Sequence, residues 1–267
     1  MPSVVAVTSG KGGVGKSCIA LNLAIAVARH GRRTLLVDAD FGLGSSALLM
    51  GSAPEYNLED VLLGHSKAAE AAIPGPEGLQ VLASASDGGN AGWDLGIGVE
   101  EVRVDLSGFE ANFEMIVVDT GAGLASKTVD SAAAAERILL VATPEPAAIA
   151  DAYATMKSLL GRSMALEIHL LVNMAESRRE AEDLQEKFAE LAIRFIGAQI
   201  DNRGYIPLDR YVREAAKRQM PFAQMDPPSP AADAVEELAR YFGGMPVSNE
   251  SPGFFNQVLG WRDAGSD

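Results

Sequence analysis

The stretch TSGKGGVGKS, Thr8 to Ser17, constrains this chain more than any other. It follows SVVAVTS, an apolar β-branched run that reads as a buried strand. It precedes SCIALNLAIAVARHG, which reads as a helix stopping at Gly31, where a left-handed residue is expected. Gly10, Gly15, Lys16 and Ser17 satisfy G-x-x-x-x-G-K-[ST] in that strand-to-helix context. Glycines let backbone N–H groups curl around phosphate oxygens, and the helix start adds partial positive charge. Gly10, Gly12, Gly13, Val14, Gly15, Lys16, Ser17 and Cys18 are therefore expected to form a phosphate cradle. Lys16 should meet the β/γ-phosphates, and the Ser17 hydroxyl should hold Mg²⁺.

Further apolar runs alternate with helical patterns: RTLLVDAD, LQVLAS, FEMIVVDT, RILLVAT and EIHLLVN, with RFIGAQI expected as one more strand. Such alternation predicts an α/β fold, a mostly parallel sheet with helices on both faces. The 267 residues suffice for one large domain of this kind. MDPPSP is expected as a turn into a helix from Ala231 to Tyr241. Asp87 to Gly98 reads as a glycine-rich loop.

Ligands of open parallel sheets sit at the carboxyl ends of the strands, and two acidic sites fall there. LLVDAD ends a strand with Asp38 and Asp40; MIVVDTGAG ends another with Asp119, followed by Gly121 and Gly123. An apolar strand ending in Asp is the Walker B arrangement, whose carboxylate reaches Mg²⁺ directly or through water. Ser17, Asp38 and Asp119 are thus the expected metal residues, and Asp40 is placed to orient the attacking water. Simple helix-capping roles for these carboxylates are the competing reading.

Composition bounds the partners. A net charge of −14 argues against broad DNA binding, which needs Lys and Arg to neutralise phosphates. The basic clusters SRRE and Arg210, Arg213, Lys217, Arg218 read as solvated helix faces. Cys18 is the single cysteine, which excludes an intramolecular disulfide and an all-cysteine metal cage and fits a reducing, cytoplasmic setting. No window reaches the roughly 18 consecutive apolar residues of a membrane span, and no secretion signal opens the chain.

Lys11 is a second lysine in the loop, on its outer turn and aimed away from its own phosphates. A cation there can stabilise charge on a nucleotide held by a second subunit. On these residues KGGVGKS resembles the deviant Walker A motif of the MinD/ParA ATPases, P-loop NTPases of the SIMIBI class. In that family the first lysine crosses an ATP-bound homodimer. The resemblance runs from about Val4 to Phe242. It implies Lys11 as the signature lysine, Lys16 as the ordinary one, Asp40 as the switch I catalytic aspartate and Asp119 as the switch II aspartate, with ATP/ADP and Mg²⁺ as cofactors.

DTGAGL, TPEPAAIADAY and GYIPLDRYVREAAKRQMPF are similar to the FlhG/FleN branch, the flagellar-number regulators. That resemblance implies Asn173 as the adenine contact and a loop from Pro207 to Asp209 on the base's other side. It implies flagellar assembly proteins as partners, namely a signal-recognition-type GTPase and switch-complex components. Two departures stand out. The strand beginning near Ser3 leaves no counterpart to the branch's N-terminal GTPase-stimulating helix, and DADFGLGSS replaces a DADLGLAN-like form.

The expected organisation is an ATPase domain over 1–243, a linker over 244–253 and an amphipathic segment over 254–262 standing apart from the body. Phe254, Phe255, Val258, Leu259 and Trp261 recur near helical spacing. Similar tails in the family target the membrane, which implies a protein peripheral to the inner face of the cell membrane; docking of the tail on its own domain is the alternative. Other functions on this fold are division-site, chromosome or other cargo positioning, DNA partitioning, an iron–sulfur dimer and an ATP-dependent ligase. The acid balance disfavours the DNA switch, and Cys18 alone disfavours the iron–sulfur dimer.

Overall fold

A computed structural model describes residues 1–86, 93, 100–245 and 253–260. Its strands are β1 (Ser3–Ser9), β2 (Thr34–Ala39), β3 (Ile73–Pro74), β4 (Gln80–Leu82), β5 (Met115–Ala122), β6 (Arg137–Ala142), β7 (Glu167–Ala175) and β8 (Asp201–Pro207). They form one sheet in the order β3-β4-β2-β5-β1-β6-β7-β8. All neighbours are parallel except β3 and β4. Strand β1, which feeds the glycine loop, lies between β5 and β6, well inside the sheet. The β2–β5 register sets Asp38 level with Asp119, so the two predicted acidic strand ends become neighbours.

The helices are α1 (Lys16–Arg29), α2 (Ser46–Leu49), α3 (Leu58–Leu62), α4 (Ala68–Ala71), α5 (Glu100–Glu110), α6 (Ser126–Ala133), α7 (Pro146–Arg162), α8 (Arg178–Ile196), α9 (Arg210–Lys217), α10 (Pro230–Gly243) and α11 (Phe254–Val258). Strand side chains alternate between two cores, as the pleat demands. Val4, Ala6, Leu35 and Val37 face the side covered by α3 to α8 and α11. Val5, Val7, Leu36 and Val117 face α1, α9 and α10. Helix α1 is apolar nearly all round because it lies between the sheet and α10.

The expected α/β architecture holds, with two local corrections. RFIGAQI is not a strand: α8 runs through Ile196, driven by buried Phe188 and Ala192, and ends at left-handed Gly197 with φ 73°. The strand comes later, at Asp201. The tail does not stand apart either. Phe254 and Phe255 are fully buried and Leu259 nearly so, within the core shared with α5. Burying two phenylalanines and a leucine is worth several kcal/mol, enough to hold a short helix on the body. Most of the expected 87–98 loop and 244–253 linker, together with Trp261 and Arg262, lies outside the described residues. Among the described residues no helix is long and apolar enough to cross a membrane.

Glu110, at the end of α5, meets the start of α11. Its Oε2 accepts the Phe255 N–H at 3.1 Å, and its buried Oε1 has no partner among the described residues. Burial pushes its carboxyl up to about 7, against the backbone N–H groups of Phe255 and Phe254 and the N-terminal ammonium. The folded state therefore binds more protons here than the unfolded one, and stability falls as pH rises from about 4.5 through 7. Between pH 5.5 and 8 the loss is on the order of 2 kcal/mol. Denaturant unfolding of Glu110→Gln should show a correspondingly flatter pH dependence than the wild type; equal slopes would exclude this assignment.

Candidate functional site

The glycine loop connects β1 to α1, and its glycines answer to different constraints. A Cβ on Gly10 would lie 2.2 Å from the Asp151 carbonyl carbon and oxygen in α7. Gly15 has φ +89°, and a Cβ there would come within 2.4 Å of Asn173 Nδ2. At Gly12 nothing lies within 4 Å. Gly10→Ala should therefore cost at least 1–3 kcal/mol, whereas Gly12→Ala should stay within about 0.5 kcal/mol of wild type in thermal unfolding. Equal losses would show that the loop does not pack against α7 as described. Gly15 also caps α1 with no side-chain hydrogen bond, so the first N–H groups of the helix are open to an anion.

Lys16 is buried, and its Nζ donates to Asp119 Oδ1 at 2.8 Å and lies 3.6 Å from Asp40 Oδ2. Burial acts to lower its pKa, but Asp119, Asp40 and Asp38 outweigh it and hold the ammonium above the ordinary lysine value. Burial raises the Asp119 carboxyl against the pull of Lys16. Asp119 Oδ2 is buried with no partner among the described residues. One cation thus faces three carboxylates, a surplus of negative charge that suits a hard divalent ion. No group of three or more His, Cys, Asp or Glu among the described residues could hold a metal alone. Mg²⁺ takes one or two protein oxygens and completes its shell with phosphate and water.

Asp38 is placed differently from Asp119. Its Oδ2 accepts the N–H groups of Ser45 and Ser46, and its Oδ1 accepts the Asp40 N–H and the Ser84 hydroxyl. Its oxygens are committed to shaping the Asp40 loop. The same packing explains one departure from the DADLGLAN pattern: a Cβ on Gly44 would lie 2.5 Å from the Ser84 carbonyl oxygen. Gly121 keeps the opposite side open, since a Cβ there would come within 3.3 Å of Asp40 Oδ1.

Lys11 points outward, as its position in the loop implied. Its Nζ donates to Glu145 Oε2 at 2.8 Å, at the start of α7. Glu145 was not singled out in the sequence; it precedes Pro146, where α7 begins.

Beside the cradle lies an apolar pocket of about 210 Å³, lined by Gly15, Cys18, Ile19, Asn173, Ile206, Pro207, Val212 and Phe222 among others. Asn173 Nδ2 donates one of its two N–H groups to the Val14 carbonyl at 2.7 Å, which fixes the amide's orientation and leaves Oδ1 as an acceptor. Asp209 lines the pocket, but its carboxylate caps α9 through the Tyr211 N–H and ties down α10 through the Ala231 N–H. It contributes to the wall rather than to polar recognition. Burial and nearby Asp119 push the Cys18 thiol up to about 12, so it is no thiolate at neutral pH.

Residues 5–222 match the family model of the CobQ/CobB/MinD/ParA nucleotide binding domain. The chain is 36% identical over 249 residues to the antiactivator FleN of Pseudomonas aeruginosa, covering 91% of this chain and 87% of that protein. It is 34% identical over 227 residues to the flagellum site-determining protein YlxH of Helicobacter pylori, covering 79% and 72%. Among solved structures, the cell division ATPase MinD of Pyrococcus furiosus superposes with a TM-score of 0.72 at 25% identity, covering 90% of this chain and 98% of that one.

Proposed function

From the premise that this chain belongs to the CobQ/CobB/MinD/ParA nucleotide-binding family, as a MinD/ParA-type ATPase, we propose that it is an ATP-driven dimeric switch governing the number or placement of flagella. The observation that carries the switch is Lys11. It stands outside the cradle that Lys16 fills and is held at the surface by Glu145. A lysine there contributes nothing to its own phosphate site and is available to another subunit's. The flagellar reading rests on the likeness to FleN and YlxH.

The reaction is transfer of the γ-phosphoryl group of ATP to water, giving ADP and phosphate. Loop N–H groups from Gly10 to Ser17 hold the phosphates, and Lys16 counters their charge. Ser17 and the open oxygen of Asp119 are the residues that would hold Mg²⁺, which supplies charge neutralisation at the β- and γ-phosphates. Asp40, beside Lys16, positions the attacking water. Asn173, its amide oriented by the Val14 carbonyl, offers Oδ1 to an exocyclic amine such as adenine carries. Membrane attachment through the tail belongs to a second state, because α11 must leave its seat before Phe254 and Phe255 can meet lipid.

The deciding experiment is sedimentation of Asp40→Ala, which should bind ATP without hydrolysing it. With Mg-ATP it should shift to a dimer and with Mg-ADP return to a monomer. A monomer in both conditions, with nucleotide bound, would overturn the switch.

A further inference from the structure

We propose that Ser84 is a positioning residue for Asp40, its hydroxyl holding the loop that carries that aspartate in place beside Lys16. The inference rests on the reading of Asp40 as the group that orients the attacking water. Strand β4 runs parallel to β2, with Leu82 level with Val37. The residues that follow Leu82 therefore pass the carboxyl end of β2, where Asp38 and Asp40 stand. Ser84 is almost fully buried there. Its Oγ lies 3.2 Å from the Asp40 carbonyl oxygen and 3.4 Å from Asp38 Oδ1, and its one proton is shared between those two acceptors.

The far end of the loop is laid against the same segment. The Gly44 N–H donates to the Ala85 carbonyl at 3.2 Å, and a Cβ on Gly44 would lie 2.5 Å from Ser84 Oγ. Ser84 thus meets the loop at both Asp40 and Gly44. Helix α3 in turn fixes the residues on either side of Ser84. The Leu58 N–H donates to the Ala83 carbonyl at 2.8 Å, and Glu59 Oε2 accepts the Ala85 N–H at 3.0 Å. Asn57 and Asp60 cap the start of α3 reciprocally, which holds Leu58 and Glu59 in register with that segment.

Asp40 needs such support. Its Oδ2 stands 3.6 Å from Lys16 Nζ, too far for a strong hydrogen bond, so the aim of the carboxylate is set from its backbone. The Asp40 N–H donates to Asp38 Oδ1 at 3.1 Å, and its carbonyl accepts from Ser84. A reacting group misplaced by about 1 Å can lose about a hundredfold in rate. Removing the Ser84 hydroxyl orphans neither acceptor. The Asp40 carbonyl keeps the Leu43 N–H at 3.0 Å, and Asp38 Oδ1 keeps the Asp40 N–H. Ser84→Ala should therefore fold normally and bind nucleotide, but hold Asp40 loosely.

The test is single-turnover release of phosphate from Mg-ATP by the full chain, with protein in excess. Calorimetric nucleotide affinity, sedimentation and thermal unfolding are measured in parallel. Ser84→Ala should release phosphate about tenfold or more slowly than wild type, with affinity within about twofold and with assembly and Tm unchanged. Ser84→Thr keeps the donor, and the groove of about 420 Å³ that Ser84 lines with Ala47, Asn57 and Ala85 has room for the added methyl group. Its rate should return to within about threefold of wild type. A Ser84→Ala rate equal to wild type overturns the positioning role, as do equal losses in Ser84→Ala and Ser84→Thr. A loss that follows affinity, assembly or Tm overturns it too. Asp40→Asn tests the premise: if it releases phosphate as fast as wild type, the reading of Asp40 falls and this inference with it. A slow Asp40→Asn beside a normal Ser84→Ala overturns the positioning role alone.

Discussion

Lys11→Ala is expected to abolish ATP-driven dimerisation and to lower phosphate release by about a thousandfold, the scale of a cation supplied in trans at phosphoryl transfer. Affinity for nucleotide should stay within about threefold of wild type. The contrast follows from placement. Lys11 is 43% exposed, its Nζ lies on Glu145, and such a surface pair contributes at most about 1 kcal/mol to the fold. Thermal unfolding of the variant should therefore match the wild type. Nucleotide titration, sedimentation with Mg-ATP and phosphate release together separate the cases. A variant that still dimerises and turns over normally would remove the role in trans. One that loses nucleotide binding would place Lys11 in its own cradle.

Lys16→Ala should be damaging in a different way. Loss of the cradle's cation should cut turnover by at least about a hundredfold. It should also destabilise the protein before any nucleotide is added, because Asp119 would be left fully buried without its 2.8 Å partner. Breaking one side of a buried pair costs on the order of 3 kcal/mol, or roughly 10 °C in Tm for a domain of this size. The pH dependence identifies the cause. Burial already raises the Asp119 carboxyl, and without Lys16 nothing comparable opposes it. The folded variant then binds a proton that the unfolded chain does not, so its stability falls as pH rises. The deficit should be larger at pH 8 than at pH 6. A deficit independent of pH would mean that lost packing, not the orphaned carboxylate, is responsible.

The glycine loop was legible because its requirements are local. A glycine motif between an apolar strand and an apolar helix has few alternative meanings, and strands ending in Asp gave the acidic side of the site. The apolar runs revealed the sheet because a strand buried on both faces has no polar alternation. RFIGAQI misled for a related reason: a short apolar run at a helix end looks like a strand until the buried Phe188 and Ala192 upstream are seen to carry the helix on. The tail misled because helical spacing of Phe254, Phe255 and Leu259 specifies an apolar face but not what covers it.

By itself, then, the sequence determined the glycine loop between the first strand and helix, the strands that deliver Asp38, Asp40 and Asp119, and the layered α/β architecture. These depend on backbone geometry and on periodicities read within a few residues. Tertiary structure alone decided that Lys11 rests on Glu145, 134 residues away, and that Lys16 meets Asp119, 103 away. It also decided that Glu110 receives the start of the tail across 145 residues. Those pairings follow from which strands flank β1 and which face each helix covers. Non-local packing of that kind leaves no periodic trace in the chain.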